Sequence, residues 1–168
     1  KIPPSQRRNL MLFAREMYRD RYRGKTDPEM RNKVNRSLKS FGKSYKVDVD
    51  QSNHLGTEFS NIVLKEGKNK KDLTLLDVGR GISQLLPILV SAHGEVNRTI
   101  LVEQPELHIH PKMQADIADL FIESDNQWII ESHSENLLLR IQRRIREGKL
   151  EPDQVKLFYI EKNKEGSA

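Results

Sequence analysis

Two short apolar runs, Thr99-Ile100-Leu101-Val102-Glu103 and Trp128-Ile129-Ile130-Glu131-Ser132, each end on a polar tip and each lead into a helical pattern. Runs of this length, rich in β-branched and aromatic side chains, read as strands. The second starts about thirty residues after the first, and short apolar strands separated by helical patterns imply a helix-covered sheet with part of it parallel, so the chain is α/β. Open sheets of this kind are flanked by helices and place their ligands beyond the carboxyl ends of the strands. The polar tips are therefore the first place to look for chemistry.

The flanking patterns fit that frame. Lys112 to Glu123 and Glu135 to Glu147 read as helices, and Val155 to Glu161 reads as a further strand. Upstream, Leu73 to Asp77 precedes a glycine-rich turn, Val78 to Gly81, which opens an apolar helix from Ser83 to about Ala92. Tyr45, Val47 and Val49 alternate with Lys46, Asp48 and Asp50, and Phe59 to Leu64 is β-leaning, so residues 44–66 predict strands around a polar turn. Gly67 to Asp72 reads as a charged loop. Nearer the start, Leu10, Phe13, Ala14 and Met17 mark one helix from Ser5 to about Gly24. Met30, Val34, Leu38 and Phe41 mark a second, which opens at Thr26-Asp27-Pro28-Glu29 and stops at Gly42. The division expected is a basic helical hairpin over residues 1–43 and the α/β body over 44–168.

Composition narrows the function classes. The chain has 168 residues, is 36% hydrophobic and 32% charged, and has no cysteine; its mean hydropathy is −0.71. No stretch approaches the ~18 apolar residues of a membrane-spanning helix. The lack of cysteine removes disulfides, thiolate zinc sites and cysteine nucleophiles, and suits a cytoplasmic location. The formal charge of +5 is unevenly spread: residues 1–46 carry +10 and residues 47–168 carry −5. A basic segment attracts a nucleic-acid backbone through counterion release, although a solvated helical face gives the same count. The first residue is Lys1 instead of Met, which predicts a piece of a longer chain.

Three motifs follow one another. Glycines Gly79 and Gly81 open a helix through Ser83 and Gln84, where backbone N–H groups can approach an anion. Glu103, Gln104 and Glu106 crown the first strand, where a carboxylate can hold Mg²⁺ beside a triphosphate. His133 follows the second, where an imidazole can hydrogen-bond a terminal phosphate or an attacking water. Each alone has a plain alternative: a helix start, a polar turn, a structural cap.

Their order, with Ile-Leu-Val-Glu-Gln-Pro-Glu-Leu-His-Ile-His-Pro over 100–111 and Ile-Ile-Glu-Ser-His-Ser-Glu-Asn-Leu-Leu over 129–138, resembles the C-terminal half of an ABC-type ATPase. More narrowly it is similar to the bacterial AAA-type proteins of the SMC and OLD group, many of which serve DNA repair or anti-phage defence. The specific likeness covers residues 73–161. It implies the C-terminal part of an ABC-type P-loop NTPase fold, ATP and Mg²⁺ as cofactors, and a homodimer or higher oligomer. DNA and a nuclease or toxin effector are the partners to expect. Glu103 takes the Walker B position and the metal; Gln104 stands where most relatives have a general-base glutamate. His133 is the implied switch histidine, and Gly79, Gly81 and Ser83, with Gln84 beside them, the signature loop that meets ATP bound by the opposite subunit. His110 and Pro111 lie where the D-loop crosses the dimer interface.

Two departures stand out. Gln104 cannot accept a proton, so hydrolysis uses Glu106, uses another base, or is slow. No stretch reads Gly-x-x-x-x-Gly-Lys-Ser/Thr; Gly24-Lys25-Thr26 and Gly42-Lys43-Ser44 lack the first glycine and each follows a helix, so the phosphate loop is expected upstream of Lys1. Two rival readings remain: a zinc hydrolase built on His108, His110, Glu103 and Glu106, and a non-enzymatic binder using the basic arm Arg7 to Lys46 and the helix with Arg140, Arg143, Arg144, Arg146 and Lys149. A serine hydrolase lacks its Gly-x-Ser-x-Gly elbow.

Overall fold

The computed structural model describes residues 28–54, 57–66, 71–94 and 96–160. The expected helix from Ser5 to Gly24, and Gly24-Lys25-Thr26, lie outside the described residues.

Helix α1, Pro28–Ser40, buries Met30, Val34 and Leu38 along one face, with Phe41 just beyond. It ends where Gly42 adopts φ +71, letting the Gly42 N–H reach the Lys39 carbonyl at 3.0 Å and the Lys43 N–H reach Leu38 at 2.9 Å. A side chain at this left-handed position would be strained, so Gly42 and Lys43 close a helix and do not open one. Strands β1, Tyr45–His54, and β2, Thr57–Glu66, pair antiparallel with Tyr45 opposite Glu66. Asn35 on α1 holds Val47 at both backbone N–H (2.7 Å) and carbonyl (3.2 Å), and Asp48 joins Arg31 to Lys65, each at 2.7 Å.

A short strand β3, Lys71–Leu73, pairs with β2, so the charged stretch expected as a loop through Asp72 is partly strand. Asp72 lies opposite Lys65 in the register, and such opposite charges favour pairing. Charge density alone could not show that complementarity.

Helix α2, Arg80–Gly94, is apolar on most sides and sits in the middle of the core, with Leu85, Leu86 and Leu89 fully buried. Beyond it, β4 (Thr99–Glu103), α3 (Pro111–Glu123), β5 (Gln127–Glu131) and α4 (Glu135–Arg146) form a βαβα run. β4 and β5 are adjacent and parallel, with Thr99 opposite Gln127 and Glu103 opposite Glu131. Their inner face, Ile100, Val102, Trp128 and Ile130, is half-buried; Phe121 packs on Trp128 with ring centroids 4.6 Å apart. The outer face is open, with Leu101 72% and Ile129 54% exposed. A single apolar cluster runs from α1 through β1, β2 and α2 to α3 and Leu137 of α4.

The strand expected over Val155 to Glu161 is corrected. After a 3₁₀ turn at Pro152–Gln154, Val155–Ile160 forms no strand, and Leu157, Phe158, Tyr159 and Ile160 are exposed. β-Branched and aromatic side chains supply strand propensity, but a strand exists only where a neighbour accepts its hydrogen bonds, and among the described residues none pairs with this segment. Among the described residues no helix is long and apolar enough to cross a membrane.

Candidate functional site

The chain leaves β4 through a tight, bonded turn. Gln104 extends the parallel pairing by donating its N–H to the Glu131 carbonyl at 2.8 Å, although its φ is +46. Pro105 is fully buried, the Leu107 N–H returns to the Gln104 carbonyl at 3.1 Å, and the Ile109 N–H returns to Glu106 at 3.1 Å. His108 also lies in the left-handed region at φ +60. Two non-glycine residues held there cost about 1–3 kcal/mol each, offset by these bonds and by burial of Pro105 and Ile109. His110 is the N-cap of α3: its Nδ1 accepts the Lys112 N–H at 3.3 Å and Pro111 fills the first turn.

The tip of β5 reaches back to this turn. Both Glu106 carboxylate oxygens are engaged there, Oε2 by the Ser132 hydroxyl at 2.8 Å and Oε1 by the His133 backbone N–H at 2.6 Å. Ser134, buried at the start of α4, accepts the Leu137 N–H at 3.1 Å and donates its hydroxyl to Gln114 Oε1 at 2.7 Å. The other end of Gln114 donates to the Ile109 carbonyl at 3.0 Å. The His133 residue is exposed, and Glu103 and Glu131 are exposed on the open face of the sheet at its carboxyl end.

The start of α2 abuts the same turn. Gln84 Nε2 donates to the Gln104 carbonyl at 3.1 Å, and the Ser83 hydroxyl donates to Leu75 at 2.9 Å. Gly79 faces open space, whereas a Cβ on Gly81 would lie 2.7 Å from the His108 carbonyl oxygen. The absent side chain at 81 is thus required by packing within the chain. Gly81→Ala is expected to cost about 1–3 kcal/mol without any ligand, read by denaturant unfolding.

The three motifs singled out in the sequence therefore meet at one end of the β4–β5 pair. Sequence reasoning missed Glu131, Ser132 and Gln114. Aligning the two strands by their last apolar residue would have found Glu131 opposite Glu103; nothing in the sequence singles out Gln114, whose donors Ser134 and Asn136 lie twenty and twenty-two residues away. Among the described residues no three His, Asp or Glu side chains gather as a metal-holding group, so His108 and His110 do not complete the zinc site of the rival reading. On α4, Arg140 and Arg144 bind Asp119, Arg143 and Arg144 bind Glu147, and Lys149 lies 3.9 Å from Glu147. Four of the five cations considered for nucleic-acid contact are thereby paired within the chain.

The family described as "AAA domain, putative AbiEii toxin, Type IV TA system" matches residues 6–140. No curated protein sequence matches the chain. Among solved structures, an SMC head bound to the C-winged helix domain of ScpA is similar with a TM-score of 0.59 at 12% identity, over 77% of this chain and 43% of that one. A structure from work on ATP-driven dimerization and DNA-stimulated activation of SMC ATPases is similar with a TM-score of 0.52 at 13% identity, over 66% of this chain and 71% of that one. The chain thus spans less than half the length of the first of these, and at such identities the likeness speaks for the fold. The family match extends over well more than half of the chain, which belongs to this AAA domain family and has the fold of an SMC-like ATPase domain.

Proposed function

We propose that the joined tips of β4 and β5 are the magnesium and terminal-phosphate side of an ATP site, and that ATP closes a dimer. The observation that carries this reading is the bonded convergence of the Glu103–Glu106 turn, the Ser132–Ser134 loop and the start of α2 at one end of a parallel pair. Glu103 and Glu131 fit a hard cation: they are neighbouring carboxylates in one register pair, exposed on the same face. Mg²⁺ there would neutralise charge developing on the phosphates. Glu103 would hold the ion and His133 would offer its ring to the terminal phosphate, with the phosphate loop supplied by the complete polypeptide. Gly79, exposed at the start of α2, and the adjoining Arg80 face outward, as a surface that completes a second copy's site would. The dimer state changes the grip on DNA or on a nuclease or toxin effector in a cytoplasmic repair or defence process.

Gln104 favours a second reading, a nucleotide-gated scaffold that binds ATP without appreciable hydrolysis, because a carboxamide is no proton acceptor. The same experiment separates the two. In the complete protein, ATP with Mg²⁺ is expected to double the mass seen by light scattering, and His133→Ala to lower phosphate release more than about tenfold. A constant monomer with no phosphate release, or release unchanged by His133→Ala, overturns the catalytic reading; a dimer without release supports the scaffold.

A further inference from the structure

The place of Glu106, two residues after Gln104, invites the role of substitute base. Its geometry points elsewhere. Each carboxylate oxygen already accepts a hydrogen bond, and both donors belong to consecutive residues of the other strand tip, Ser132 and His133. The network continues as a closed circuit. Ser132 Oγ accepts the Ser134 N–H at 3.0 Å, the Ser134 hydroxyl donates to Gln114, and Gln114 returns to the Ile109 carbonyl and, at 3.4 Å, to the carbonyl of Glu106 itself. The loop after β4 and the loop after β5 are thereby one hydrogen-bonded body, in which the backbone N–H groups of His133 and Ser134 are both held. Charge-assisted bonds to a carboxylate are the strong members of such a network.

We infer that Glu106 is a positioning residue: it clasps the backbone of the Ser132–Ser134 loop and so sets where the His133 imidazole stands. The inference rests on the ATP-site reading above for its functional consequence, but the clasp itself is read independently of turnover. Glutamine keeps an oxygen for the His133 N–H and an NH₂ for the Ser132 oxygen, which has a lone pair to accept it; alanine keeps neither.

The test uses hydrogen exchange over residues 131–136 and phosphate release, both on the complete protein. Glu106→Ala is expected to speed exchange at the His133 amide by at least about tenfold and to lower release by a similar factor, whereas Glu106→Gln changes each by no more than about threefold. A Gln variant as inactive as the Ala variant, with its amides still protected, would make Glu106 the base and overturn the clasp. Unchanged exchange in Glu106→Ala would also overturn it. Should Glu106→Ala fail to fold, Ser132→Ala, which removes one of the two donors, decides: faster exchange at His133 supports the clasp and unchanged exchange refutes it. If His133→Ala leaves release intact, the catalytic reading of His133 falls, yet the exchange result still stands on its own.

Discussion

Glu103→Gln in the complete protein is expected to cut ATP turnover by more than about tenfold, measured as phosphate release at saturating Mg²⁺, while leaving the fold intact. The side chain is exposed at the last register position of β4 and carries no hydrogen bond or ion pair within the described residues, so the exchange of a carboxylate for its isosteric amide removes a charge without disturbing packing. A hard cation prefers anionic oxygen, and an amide oxygen weakens its hold. Glu131→Gln is the companion measurement, because Glu131 stands beside Glu103 in the pair. Turnover indifferent to Glu103→Gln would remove the metal from this end of the sheet.

The second large effect is structural. Asp119 on α3 receives Arg140 and Arg144 from α4 through bonds of 2.6–3.2 Å, and the three side chains are only 16–22% exposed. Asp119→Ala removes the anion shared by the two guanidinium groups and leaves Arg144 with Glu147 alone, a loss of charge-assisted hydrogen bonds expected to cost about 2 kcal/mol. In a chain of this size that corresponds to a melting temperature lower by roughly 4–8 °C, read by calorimetry. The pH dependence has a definite sign. Burial pushes the Asp119 carboxyl up, but the hydrogen bonds from Arg144 and Arg140 outweigh it and hold the group down to about 2, against an ordinary value of 3.8. A depressed folded-state value stabilises the fold fully above the ordinary value and is lost as pH falls from there to about 2. The wild type should therefore lose stability more steeply than Asp119→Ala between those limits.

Much of the architecture was legible because periodicity is local. β4 was readable to the residue, the stripe of α1 emerged as Met30, Val34 and Leu38, and the parallel pair followed from the spacing of two apolar runs. What escaped depended on partners. β3 is a strand because it pairs with β2, with Leu73 opposite Leu64 and Asp72 opposite Lys65, and Val155–Ile160 is not one because nothing pairs with it among the described residues; neither fact is written in the segment itself. The candidate site shows the same division. The order of its motifs was visible, whereas the engagement of Glu106 by Ser132 and His133 bridges twenty-six and twenty-seven positions and appears only once two strand ends lie side by side. Likewise the arginine-rich face of α4 looked available for phosphates until Asp119 and Glu147 were seen to occupy it.

The near-contact between position 81 and the carbonyl of His108 ties together two stretches that local sequence does not link. A larger residue at 81 is tolerable only if the bend around 108 is redrawn at the same time, so in diverging descendants these stretches should drift as a pair. A swap that transplants one of them from a distant cousin without the other should misfold more often than a swap of both.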